Sequence, residues 1–118
     1  MSTGMPAGIW LGKFGTIVRD YFGHVPYHVG SSLNSKQWRD VDVRLILPDE
    51  EFTERFGDNL SSCTNRKLAA ITLAFAALGK EMTGLPIDFQ IQQQTHANQA
   101  YPGTRSALFE LDPPYSAQ

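Results

Sequence analysis

Asp40 and Asp42 stand two residues apart in Asp40-Val41-Asp42-Val43-Arg44-Leu45-Ile46-Leu47, a segment that begins in strict polar–apolar alternation and ends wholly apolar. Alternation is the period of a β-strand. Both carboxylates therefore fall on one face with Arg44, roughly 7 Å apart at about 3.3 Å per residue, while Val41, Val43 and Leu45 fall on the other. Two carboxylates so close repel, and one pKa rises, unless solvent or a cation relieves them. Mg²⁺ or Mn²⁺ suits such a pair, because hard cations of this kind are held by one or two carboxylates together with substrate phosphates. A D-x-D pair alone is also what the wet face of any amphipathic strand displays, so its meaning depends on its neighbours.

Two neighbours point the same way. Gly30-Ser31-Ser32 stops the short β-compatible run Tyr27-His28-Val29, and a glycine turn there can offer backbone N–H groups and hydroxyls to phosphate oxygens. Asp88 occupies the polar face of Ile87-Asp88-Phe89-Gln90-Ile91-Gln92, a second alternating strand. Three carboxylates on two strands, facing a glycine-serine turn, make a metal and phosphate site. Lys36 and Arg39 can add positive charge near the turn, and Arg44 can contact phosphate or pair with Asp42. The remaining chemistry-bearing residues form no motif. His24, His28 and His96 are too scattered for a metal site, Trp38 suits packing over the sheet edge or stacking on a base, and Cys63 lacks a catalytic partner nearby in sequence.

The elements that must position these residues are legible in outline. Trp10, Phe14, Ile17, Val18, Tyr21 and Phe22 share a helical face, and Gly23 ends that helix. Asp49 to Phe56 starts acidic and is followed by Gly57, the pattern of a short helix. Leu68, Ile71, Thr72, Phe75, Leu78 and Met82 make the clearest helical stripe, with Ser61 or Ser62 as its cap and Gly84 at its end. The opposite face is rich in alanine, which favours close packing against a sheet. Beyond Thr95 the sequence reads as polar loop, with a turn of helix near Ser106 to Phe109. The order helix, strand, strand, helix, helix, strand predicts an α+β or small α/β domain, a short mixed sheet backed by helices.

Length and composition bound the rest. With 118 residues there is room for one compact domain, expected over 9–111, between a flexible lead-in at 1–8 and a proline-containing tail at 112–118. A net charge of −2 excludes a strongly basic nucleic-acid footprint, and a single cysteine excludes an intrachain disulfide and cysteine zinc clusters. The longest apolar stretch, Leu68 to Leu78, is about half the roughly 20 residues that span a bilayer. With no basic segment leading into an apolar run at the start, the sequence reads as cytoplasmic, without a membrane partner.

The arrangement Val29-Gly30-Ser31, then Arg39-Asp40-Val41-Asp42-Val43, then Ile87-Asp88-Phe89 resembles the signature of the polymerase β-like nucleotidyltransferase superfamily. The pattern spans half of the chain, whose size is similar to the minimal members; the R-D-V-D-V-R strand looks most like small phage-encoded or actinobacterial proteins of that kind. The resemblance implies that Asp40 and Asp42 bind the metal carrying a nucleoside triphosphate and that Gly30 and Ser31, with Ser32 beside them, contact its β- and γ-phosphates. It also implies that Asp88 joins a second metal and helps activate an acceptor hydroxyl, of RNA or protein. Transfer of the nucleoside monophosphate would then proceed by in-line attack on the α-phosphate. Two departures stand out: Ser32-Leu33-Asn34-Ser35-Lys36-Gln37-Trp38 lacks the arginine and glycine usual after the glycine-serine turn, and no second domain follows. An oligomer or partner protein would complete the site, or the fold would serve as a catalytically inactive scaffold that binds nucleotide or protein. A metal-dependent phosphodiesterase using the same carboxylates is a third expectation.

Overall fold

A computed structural model of the protein describes residues 4–29, 41–100 and 105–108. Along the chain run α1 (Gly4–Phe22), β1 (Tyr27–Val29), β2 (Val41–Leu47), α2 (Asp49–Phe56), α3 (Arg66–Thr83), β3 (Ile87–Gln93), α4 (Gln94–Ala100) and β4 (Arg105–Ala107). The strands form one mixed sheet in the order β3-β2-β1-β4, with β2 and β3 parallel and the other two pairs antiparallel. This is the expected α+β architecture. No helix among the described residues is long and apolar enough to cross a membrane.

The alternation in β2 has a structural counterpart on every residue. Val41, Val43, Leu45 and Leu47 are fully buried, whereas Asp42, Arg44 and Ile46 between them are half-buried. Parallel pairing with β3 aligns Val43 with Phe89 and Leu45 with Ile91, so the apolar sides of the two central strands fuse into one surface. Onto this surface pack α1 and α3. Phe14 of α1 meets Phe89 edge to face at 5.9 Å, and Phe75 of α3 bridges Phe22 and Phe89. Such aromatic pairs add to the hydrophobic stabilisation of the buried area itself.

Two glycines set how closely these layers approach. A Cβ at Gly79 would lie 3.1 Å from the Phe14 ring and 3.2 Å from Ile87, so α3 presses on α1 and β3 where it has no side chain. A Cβ at Gly15 would collide with the Leu108 carbonyl oxygen, so this glycine admits the segment after β4 against α1.

Several expectations need correction. α1 begins at Gly4, ahead of Trp10, and its buried stripe is Leu11, Phe14, Val18 and Phe22, leaving Trp10, Ile17 and Tyr21 exposed. The cap of α3 is Asn65 rather than Ser61 or Ser62: its Oδ1 accepts from Leu68 N–H at 3.2 Å, and its Nδ2 donates to the carbonyls of Phe56 and Asn59. One buried amide thus serves the helix start and ties down the preceding loop. Gly84 ends α3 in the left-handed conformation, as its position predicts. The residues beyond Thr95 read as loop yet belong to α4, at whose first turn the Asp49 carboxylate accepts from the Thr95 N–H and hydroxyl. The segment from Ser106 reads as a helical turn but pairs with β1 as β4, held also by Leu108 N–H to Pro26 C=O.

Candidate functional site

The register of the sheet decides which polar side chains meet. Asp42 of β2 lies directly beside Asp88 of β3, and Arg44 beside Gln90. Neighbouring strands stand about 4.8 Å apart, and side chains at paired positions share a face. The two aspartates, distant in sequence, are therefore adjacent on the face opposite Val43 and Phe89. The row continues through Val29 of β1 to Arg105 of β4, and the next row runs Gln90, Arg44, Tyr27, Ala107. What aligns the carboxylates is the hydrophobic side of the same strands, because a slip of one residue would turn every buried valine and leucine toward solvent.

Arg44 bonds to Asp88 rather than Asp42. Its Nη1 donates to the Asp88 carbonyl at 2.8 Å and to the Val43 carbonyl at 3.1 Å, and its Nη2 lies 3.4 Å from Asp88 Oδ2. Gln90 Nε2 donates to the other carboxylate oxygen, Oδ1, at 3.2 Å. Asp88 is thus oriented by one donor on each oxygen while its side chain stays half exposed. Behind this face, His28 of β1 is buried beside Val43. Burial pushes its pKa below 6.5, and the negative charge of Asp42 opposes that shift in part.

Of the residues assigned from sequence, Asp42, Asp88 and Arg44 are brought together; Asp40, Gly30, Ser31, Ser32, Lys36 and Arg39 lie outside the described residues, as does Trp38. Among the described residues no group of three or more His, Cys, Asp or Glu side chains could hold a metal ion. The donor chemistry of Asp42 and Asp88 nevertheless fits a hard divalent cation: two carboxylates in register on adjacent strands. His24 lies apart from this face, its Nε2 2.9 Å from Glu51 Oε1, and Cys63 is exposed in the loop before α3.

Sequence reasoning left Tyr27 and Arg105 out of the site. Tyr27 enters through antiparallel pairing with Arg44, and Arg105 through the pairing of β4 with β1; Arg105 Nη2 also donates to Asn98 of α4 at 3.1 Å. Neither pairing leaves a periodic signal in strands of three residues. No family model, no curated protein and no solved structure matches the chain.

Proposed function

We propose that the protein is a metal-dependent nucleotidyltransferase that moves a nucleoside monophosphate from a nucleoside triphosphate to an acceptor hydroxyl. The observation that carries this reading is the alignment of Asp42 with Asp88 on the polar face of the parallel pair. In this reading Asp42, with Asp40, would hold Mg²⁺ or Mn²⁺, and Asp88 would contribute to the same cluster. Such an ion, when bound, would neutralise phosphate charge and favour in-line displacement. Gly30, Ser31 and Ser32 would provide backbone and hydroxyl donors for the β- and γ-phosphates, with Lys36 and Arg39 as the cations that follow them in sequence. Asp88, held by Arg44 and Gln90, receives the proton of the acceptor hydroxyl as its oxygen bonds to the α-phosphorus and pyrophosphate leaves. The chain contributes position and charge, which is most of what phosphoryl-type transfer requires.

The decisive experiment is Asp42→Asn assayed with labelled nucleoside triphosphates and Mg²⁺. Loss of transfer by about 10²–10³-fold, with thermal unfolding unchanged, is the expected result. Turnover equal to the parent chain would reject the role of Asp42.

One observation favours a second reading, a nucleotidyltransferase-like scaffold without transfer activity that binds nucleotide or protein. Arg44 already places a guanidinium on the Asp88 carboxylate. Calorimetry with Mg²⁺ and each nucleotide, run beside the transfer assay, separates the readings: metal-dependent heat without label transfer belongs to a nucleotide-binding scaffold, and absence of such heat to a protein-interaction scaffold.

A further inference from the structure

β3 stands at one end of the strand order, and its outer side faces away from β2. Among the described residues this seven-residue strand is the terminal strand of the sheet and pairs through one side, and Ile87-Asp88-Phe89-Gln90-Ile91-Gln92-Gln93 holds no proline or lysine. The Val41 N–H to Pro86 C=O bond sets the phase of the parallel ladder. In that phase Asp88 and Gln90 turn their amides toward β2, and the N–H and C=O groups of Ile87, Phe89 and Ile91 point outward. Edge strands of this length are normally blunted by charge, proline or a covering element, because they template further strand pairing.

Two grooves lie along this edge. A groove of about 270 Å³ runs between Ile87–Gln90 and the Ala69, Thr72, Leu73 and Ala76 side of α3. A second, of about 200 Å³, continues it past Gln90–Gln93, flanked by Leu60 and Ser61. Among the described residues no hydrogen bond joins this flanking loop to β3. Leu73 is 69% exposed at the groove wall, and the Thr72 hydroxyl is buried there without a partner among the described residues.

We infer that β3 pairs antiparallel with β3 of a second copy of this chain, joining two four-stranded sheets across a two-fold axis. The strand is self-complementary in this arrangement. A two-fold centred on Phe89 sets Asp88 against the partner's Gln90, and one centred on Gln90 sets it against Gln92; both give a carboxylate an amide donor, and both bring the outward amides of Ile87, Phe89 and Ile91 into bonding positions. Only a shift to a centre at Asp88 would oppose the two carboxylates. The axis is perpendicular to the sheet, so both polar faces end on the same side of the dimer. The inference does not rest on the chemistry proposed for Asp42 and Asp88, although Asp88 takes part in both.

Sedimentation velocity on the full chain from about 2 to 200 µM, paired with amide exchange at both ends of that range, tests it. The expected result is a monomer–dimer equilibrium in which the amides of Ile87, Phe89 and Ile91 gain protection with concentration, and in which Leu73→Glu weakens dimerisation about tenfold or more while the fold is kept. A chain monomeric throughout the range, or a dimer that leaves those three amides exchanging at an unchanged rate, overturns the inference. The same variant should leave Mg²⁺-dependent nucleotide binding by the monomer intact, so failure here and failure of the transferase reading are separable.

Discussion

The two faces of β2 are built by opposite rules. One presents Val41, Val43, Leu45 and Leu47, all fully buried beneath α1 and α3, in a layer whose contacts are apolar and aromatic. The other presents Asp42 and Arg44, half-buried, whose partners on β3 are the polar Asp88 and Gln90. Removing a methylene from the first leaves a void that close-packed surroundings fill only in part. Changing charge on the second alters an interaction that water already screens. Stability and the proposed chemistry thus fall on opposite sides of a single strand, and variants can address each alone.

The strongest test of this division is Phe14→Ala. Phe14 is fully buried, stacks edge-on to Phe89 and covers Gly79, so its truncation is expected to cost about 3–5 kcal/mol in urea unfolding. A loss below about 1 kcal/mol would show that the helical layer can collapse into the gap. Asn65→Ala comes next, at about 2 kcal/mol, because the buried helix cap and two part-buried loop bonds disappear together. Asn65→Asp, which retains the cap acceptor and removes the amide donor, should recover only part of that loss.

On the polar face the effects on stability shrink while those on binding grow. Arg44→Gln is expected to lower stability by no more than about 1 kcal/mol, since the pair with Asp88 is partly exposed. It should at the same time strengthen Mg²⁺ binding, because a competing cation leaves the Asp88 carboxylate; an unaltered Mg²⁺ titration would mean that Asp88 is not a ligand. The smallest effect is a pH dependence through His28. Its pKa is lowered in the folded chain, so the unfolded chain binds more protons between that lowered value and 6.5. The associated stability is complete above 6.5 and declines as the pH falls through this window. His28→Gln should flatten the difference between unfolding midpoints near pH 7.5 and 5.5, and an unchanged slope would place the titration elsewhere.

What was legible in the sequence follows the length of each periodic signal. β2 and β3 are seven residues long and open in alternation, Asp40 to Leu45 in the first case and Ile87 to Gln92 in the second, enough to assign their faces and to put Asp42 and Asp88 on polar sides. That the two strands are neighbours in parallel register is a property of the crossover through α2 and α3, which no local pattern encodes. β4 has three residues, and α4 depends on Asp49, a capping residue from a distant part of the chain. Ser61 and Ser62 carry the right chemistry for a helix cap. Asn65 prevails because its amide also bonds two loop carbonyls, which a serine hydroxyl in that place could not reach. The helical stripe of α1 was misplaced for a related reason: Trp10, Ile17 and Tyr21 are hydrophobic enough to suggest burial, and only the packing around Phe14 shows which side faces inward.

The parallel crossover also imposes an order on synthesis. Translation proceeds at roughly 5–20 residues per second, so β2 leaves the ribosome seconds before the β3 residues that cover its flank. During that interval a nascent chain carries Val41–Leu47 with one side unpaired and its apolar residues uncovered by α3. Ribosomal stalling between these strands would therefore produce a sticky fragment, and codon-level pauses there would raise the demand for chaperones.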